Sequence, residues 1–199
     1  MSYAKDRAKA AAKQALQEWH NNFLTTAHAS RNEEISLVGA GGRIPDEGRI
    51  YGERHRAMFE DYSTQKREAA VKALSDYARE LDEKITKAPD DEALRAMQAF
   101  ALLKNPGKSA PADAREAYAQ RVDQMMNQYG SNVMVYDALQ QMAEEAGIYN
   151  FNPHALHAER QQLDNAIRSI ERHVNLMSAD GGYADGWHFD LMEQAIDNL

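Results

Sequence analysis

"EAAVKALSDYARELDEKITKAP", residues 68–89, carries the periodicity that decides the fold. Val71, Leu74, Ala78, Leu81, Ile85 and Ala88 are spaced 3-4-3-4-3, which puts all six on one side of a helix in the rhythm of a coiled-coil seam. Glu68–Lys72, Glu80–Lys84 and Glu83–Lys87 each set an acid four residues before a base, the order that best supports a helix. Pro89 ends the run, because proline disfavours helical backbone in the residue before it. Followed backward, the helix starts near Tyr51 and would be about 55 Å long. A compact chain of this size is only about 35 Å wide, so an elongated body is expected.

The same rhythm returns after Asn152-Pro153, a cap followed by a first-turn proline. Leu156, Leu163, Ile167, Ile170, Val174 and Met177 form a heptad-like stripe there that lacks one member. Between the two long helices, glycine, proline and capping residues divide the chain. Asp90 or Asp91 starts a helix that reaches Asn105-Pro106-Gly107. Another runs from Pro111 to Gly130, and a third from Asn132 to Ala146, where Gly147 stops it. Val133-Met134-Val135-Tyr136 would also suit a strand, but no partner strand is visible. The first helix is expected from Ser2 to Ala29 on Leu16, Trp19, Phe23 and Leu24, and the last over 187–198. The expected fold is all-α: an elongated helical bundle with coiled-coil-like long helices. The domain expectation is a single helical domain, 1–199, with a sub-boundary near 105–111.

The composition fits that reading. Alanine supplies 33 of the 199 residues, while Leu, Ile, Val and Phe together supply another 33. Alanine is the best helix former, since it loses no side-chain entropy. The core is therefore thin, with helices meeting over small side chains, and a second copy of the chain is expected to complete it. Met125, Met126, Met134 and Met142, with Tyr118, Tyr129 and Tyr136, are read first as core and second as contact surface.

Charge and chemistry narrow the function classes. The net charge is −8, and residues 101–199 carry 7 basic against 14 acidic side chains. Nucleic-acid binding needs a basic surface to displace counterions, so none is expected. Lys5, Arg7, Lys9 and Lys13 are read as the solvated face of the first helix. There is no cysteine, which removes disulfides, thiolate metal sites and cysteine nucleophiles. No apolar run reaches the roughly 18 residues of a membrane span, and a cytoplasmic protein without a membrane partner is expected.

The glycine-rich stretch "GAGGRIPDEGRIYG", residues 39–52, lacks the Gly-Lys-Ser/Thr ending of a phosphate loop, and Ile44 stands where a dinucleotide motif needs its third glycine. It repeats Gly-Arg-Ile at 42–44 and 48–50 around Pro45-Asp46-Glu47, an order suited to a turn. The two copies are expected to pair as a small β-hairpin, with Ile35, Leu37 and Val38 in a short packed segment before it. Arg43, Ile44, Arg49 and Ile50 are the candidate contact residues of this loop.

No histidine stands three residues after a glutamate, so the helix-borne metal motifs are missing. His154 and His157 share a helix face, but as surface residues. The acidic stretch 180–190 lacks the third-position ligand of a calcium loop, and no Gly-x-Ser-x-Gly elbow is present. No catalytic, cofactor or metal residue is expected, and no cofactor. The sequence points to a non-enzymatic scaffold or adaptor that acts by protein–protein contact and self-associates. Leu74, Leu81, Ile167 and Ile170 are its candidate seam residues. The alternatives are an acidic inhibitor that mimics nucleic acid toward a basic protein, and an enzyme whose site is dispersed in sequence.

Overall fold

A computed structural model describes the backbone of residues 3–37, 46–148, 151–179 and 185–199. Side chains are described for 3–22, 25, 61, 64–148, 151–174 and 187–199. The described chain is all-helical: α1 (Tyr3–Leu37), α2 (Asp46–Ile85), α3 (Asp91–Ala101), α4 (Ala112–Tyr129), α5 (Val133–Glu145), α6 (Ala155–Ala179) and α7 (Asp185–Asp197). None of these helices is long and apolar enough to cross a membrane.

Two compact units divide the chain, one made of residues 1–78 and 162–199, the other of residues 79–161. The divisions fall inside α2 and α6, and the 105–111 segment lies within the second unit.

Each helix of the first unit buries one narrow stripe. On α1 it is Ala8, Ala12, Ala15, Leu16 and Trp19; on α2, Ala70, Leu74, Tyr77 and Ala78. On α6 it is Leu163, Ala166, Ile170 and Val174; on α7, His188, Phe189, Met192 and Ile196. These steps of three and four residues follow the 3.6-residue helical period. Alanine at so many of the positions makes the core thin, as the composition implied. Lys66 of α2 pairs with Glu18 of α1. Hydrogen bonds from Lys66 and Gln14 hold the Glu18 carboxyl below its ordinary pKa.

The second unit has its own core. Ala93 and Phe100 of α3, Tyr118 and Val122 of α4, and Val135, Leu139 and Ala143 of α5 form it with Ala146. Met97, Met125, Met126, Tyr129, Met142, Ile148 and Phe151 pack around the cluster. Of the methionines and tyrosines expected in the core, Tyr118 is buried, Met125, Met126, Tyr129 and Met142 are partly buried against it, and Met134 is half exposed. The phenyl ring of Phe100 meets that of Tyr118 at 5.4 Å. Burial raises the Tyr118 pKa, and the Glu145 carboxylate raises it further.

Local chemistry sets the ends of these helices. Asp90 accepts from the Ala93 amide at 2.8 Å to start α3, and Asn132 accepts from Val135 at 3.2 Å to start α5. At the end of α5, Gly147 takes φ +78. Its amide donates to Glu144 O at 3.0 Å and that of Ile148 to Ala143 O at 2.9 Å, the paired bonds of a Schellman stop. Gly130, which caps α4, is required for a different reason. Its amide donates to the Met126 carbonyl at 2.8 Å, and a Cβ at this position would collide with that same oxygen. Because the obstacle is backbone, Gly130→Ala should cost about 1–3 kcal/mol, read as a lower urea midpoint at unchanged slope. An unchanged midpoint would mean the cap relaxes freely.

Several sequence expectations need correction. α1 continues to Leu37 instead of ending at Ala29, so Ile35 and Leu37 are helical. α2 begins at Asp46, which puts the second Gly-Arg-Ile copy in its first turns and removes the hairpin. Asp46 and Glu47 then stand where acidic residues favour a helix start. α3 stops at Ala101, four residues early. Asn105 is a connector instead: its side chain donates to Met142 O at 3.1 Å and accepts from Gly107 N at 2.9 Å. Val133 to Tyr136, in contrast, lies in a helix as expected. α6 begins at Ala155, and His154 performs the capping expected of Asn152, its Nδ1 accepting from Leu156 N at 3.2 Å.

Candidate functional site

α7 is the most heavily anchored short element of the first unit, and its anchors are polar at one end and aromatic at the other. At its C-terminal end, Lys9 donates to the Asp197 carbonyl at 3.0 Å, and Lys13 pairs with the Asp197 carboxylate. Cations are favoured at this end of a helix. The N-terminal lysines were expected to face solvent; two of them instead hold α7. Gln17 adds a bond to Glu193 at 3.3 Å.

The other end of α7 carries Trp187, His188 and Phe189. His20 of α1 stacks on Phe189, with centroids 4.1 Å apart and planes within 10°. His173 of α6 meets His188, Nδ1 to Nδ1, at 2.9 Å. The Trp187 ring lies 5.0 Å from that of His188 and 6.3 Å from that of His173, yet the residue remains 63% exposed. Burial lowers the His173 pKa, and the charges of His188 and Arg172 lower it further.

Spacing rules could not find this cluster, since His173 and His188 lie on separate helices. The usable signal is position: His188 and Phe189 begin the α7 stripe that continues at Met192 and Ile196. A histidine in an apolar stripe asks for a partner.

The other histidine pair is structural. His157 Nε2 lies 2.8 Å from Asp137 Oδ2 of α5, and His154 caps its own helix while its ring meets Tyr136 edge-on at 5.2 Å. Tyr136 in turn donates to Asn152 O at 2.7 Å. Among the described residues, no group of three or more histidine and carboxylate side chains is placed to hold a metal.

The candidate seam residues separate by depth. Leu74, Leu81 and Ile170 are fully buried by the chain itself, whereas Ile167 is only half-buried. Arg43 and Ile44 lie outside the described residues. Arg49 and Ile50 are in the first turns of α2, their side chains outside the described set.

Apolar surface is instead offered by α3 and the turn after it. Leu94, Leu102 and Leu103 are 43%, 87% and 36% exposed. Leu94 follows the buried Ala93 in sequence and is left partly exposed at the edge of the face that Ala93 and Phe100 bury. Capping and spacing predict helix as far as Asn105, which hides both leucines of the turn that follows Ala101. In the first unit, Arg67, Glu68, Val71 and Lys72 of α2 and Glu171 of α6 line a shallow cleft of about 450 Å³.

Comparison with protein-family models, with curated proteins and with solved structures finds no match to this chain.

Proposed function

We propose that the protein is a non-enzymatic helical assembly protein that acts by protein–protein contact, with a second copy of itself as its first partner. The observation that carries this reading is the exposure of Leu94, Leu102 and Leu103 within one ten-residue segment. Isolated apolar side chains are common on protein surfaces, but clustered ones mark contact sites. The chain as a whole is strongly polar, with a mean hydropathy of −0.71. Contact along this segment replaces the heptad seam as the expected interface, because the seam leucines are spent on the chain's own core.

Sedimentation of the purified protein should give a multiple of the 22.4 kDa chain mass. The variant Leu102→Asp should dissociate to monomer with its helicity intact, since Leu102 is 87% exposed in the single chain. A wild type that is monomeric at high concentration would overturn self-association. The acidic-inhibitor reading draws on the excess of 14 acidic over 7 basic side chains in residues 101–199. It predicts a basic partner released by salt, because charge-steered contacts are screened; contact through leucines would survive it.

A further inference from the structure

His173 and His188 face one another almost head-on. Their Nδ1 atoms are 2.9 Å apart and the ring centroids 5.1 Å, close to the nitrogen separation with one ring radius added at each end. An N–H···N bond needs one protonated nitrogen and one lone pair. Two neutral rings satisfy it when one carries its proton on Nδ1 and the other on Nε2. One neutral and one charged ring satisfy it better, because an ionised donor strengthens the bond. Two charged rings cannot: both Nδ1 atoms then carry hydrogen, and two like charges meet at contact distance. His188 is 4% exposed, so water does little to screen them.

We propose that the His173–His188 pair is a pH-sensitive latch, which holds the N-terminal half of α7 on α6 while at least one ring is neutral and releases it when both are protonated.

The surroundings oppose the second proton. Arg172 adjoins His173 on α6 and, with His188, disfavours charge on it, behind the larger effect of burial. α1 brings a third imidazole, His20, against Phe189. α2 contributes Arg67, Glu68 and Lys72, which line a cleft with Glu171, two residues before His173. With its pKa lowered in the folded state, His173 binds its proton less readily there than in the unfolded chain. The docking is therefore at full strength above about pH 6.5 and weakens as the pH falls below it. The C-terminal half of α7 stays clamped by Lys9, Lys13 and Gln17, so the release is confined to the end that carries Trp187.

Amide hydrogen exchange on the full chain, corrected for intrinsic rates, tests this at about pH 7 and about pH 5. Protection of residues 187–192 should fall roughly tenfold at the lower pH, with a smaller change over 193–197. His173→Gln should abolish the difference. Its amide offers both a donor and an acceptor, so it can bond to His188 in either protonation state. Equal wild-type protection at the two pH values would overturn the latch, as would a His173→Gln protein that loses as much as wild type. Should that variant fail to fold, ring-nitrogen NMR of wild type labelled at histidine decides. The latch requires both rings to charge over the window in which α7 exchange rises; charging without that rise, or no charging by the lower pH, sinks it.

Discussion

Leu74→Asp should unfold the first unit, with a loss of more than about 4 kcal/mol. Leu74 is fully buried in the α2 stripe beside Ala70, Tyr77 and Ala78. Removing its side chain forfeits about 1.5–3 kcal/mol of burial, and the carboxylate that replaces it has no partner in an apolar stripe. Whole-domain stability is only about 5–15 kcal/mol, so most of it disappears. The sharper experiment is on α6. Ile170→Asp should match Leu74→Asp, because Ile170 is equally buried, whereas Ile167→Asp should cost much less at a half-buried position. Circular dichroism and urea midpoints for the three variants give the comparison. An Ile167→Asp as damaging as Ile170→Asp would mean that a second chain covers Ile167, and the heptad seam would return as the interface.

That contrast shows where the sequence was legible. Residues 68–85 do form a helix that buries Leu74, Ala78 and Leu81, which ends at Ile85, three residues short of the Ala88 expected from the spacing. The buried stripe also takes Ala70 and Tyr77, so that Ala70, Leu74, Tyr77 and Leu81 follow one another at steps of four, three and four, a spacing common to heptad packing and to a straight helix. The cap at Asp90 or Asp91 and the stop at Gly147 were legible because each acts within four residues of itself, whereas Asn132, expected as the first helical residue, is the cap. The start of α2 was misread for the opposite reason. Gly48 and Gly52 each weaken a helix by only about 1 kcal/mol, which the long helix beyond them outweighs. α1 likewise runs through Ser30-Arg31-Asn32-Glu33-Glu34, where neither glycine nor proline stands to stop it. Of the site features, exposed leucines and a histidine pair joining two helices depend on tertiary packing, which no spacing encodes.

Phe100→Ala in the second unit should cost about 3–5 kcal/mol, toward the lower end of that range. Phe100 is buried among α3, α4 and α5, but Met97, Met125, Met126 and Met142 surround that core. Methionine has three rotatable bonds and fills irregular gaps, so part of the cavity should close. By the same reasoning Phe100→Leu should cost less than about 1.5 kcal/mol. Tyr118, whose ring touches Phe100 at 5.4 Å, supplies an independent readout. Burial is the first cause of its raised pKa, ahead of Glu145. Water admitted by Phe100→Ala should therefore bring the phenol back toward its ordinary value, seen in the alkaline absorbance titration. In wild type the raised pKa makes the folded state hold its proton longer than the unfolded chain. Its contribution to stability is complete below about pH 10 and is lost as the pH rises beyond that. Phe100→Ala should flatten this alkaline loss as well as lower the midpoint. A variant that lowers the midpoint while leaving the Tyr118 titration unchanged would show that the methionines seal the cavity completely, and that burial of the phenol does not depend on the phenyl ring.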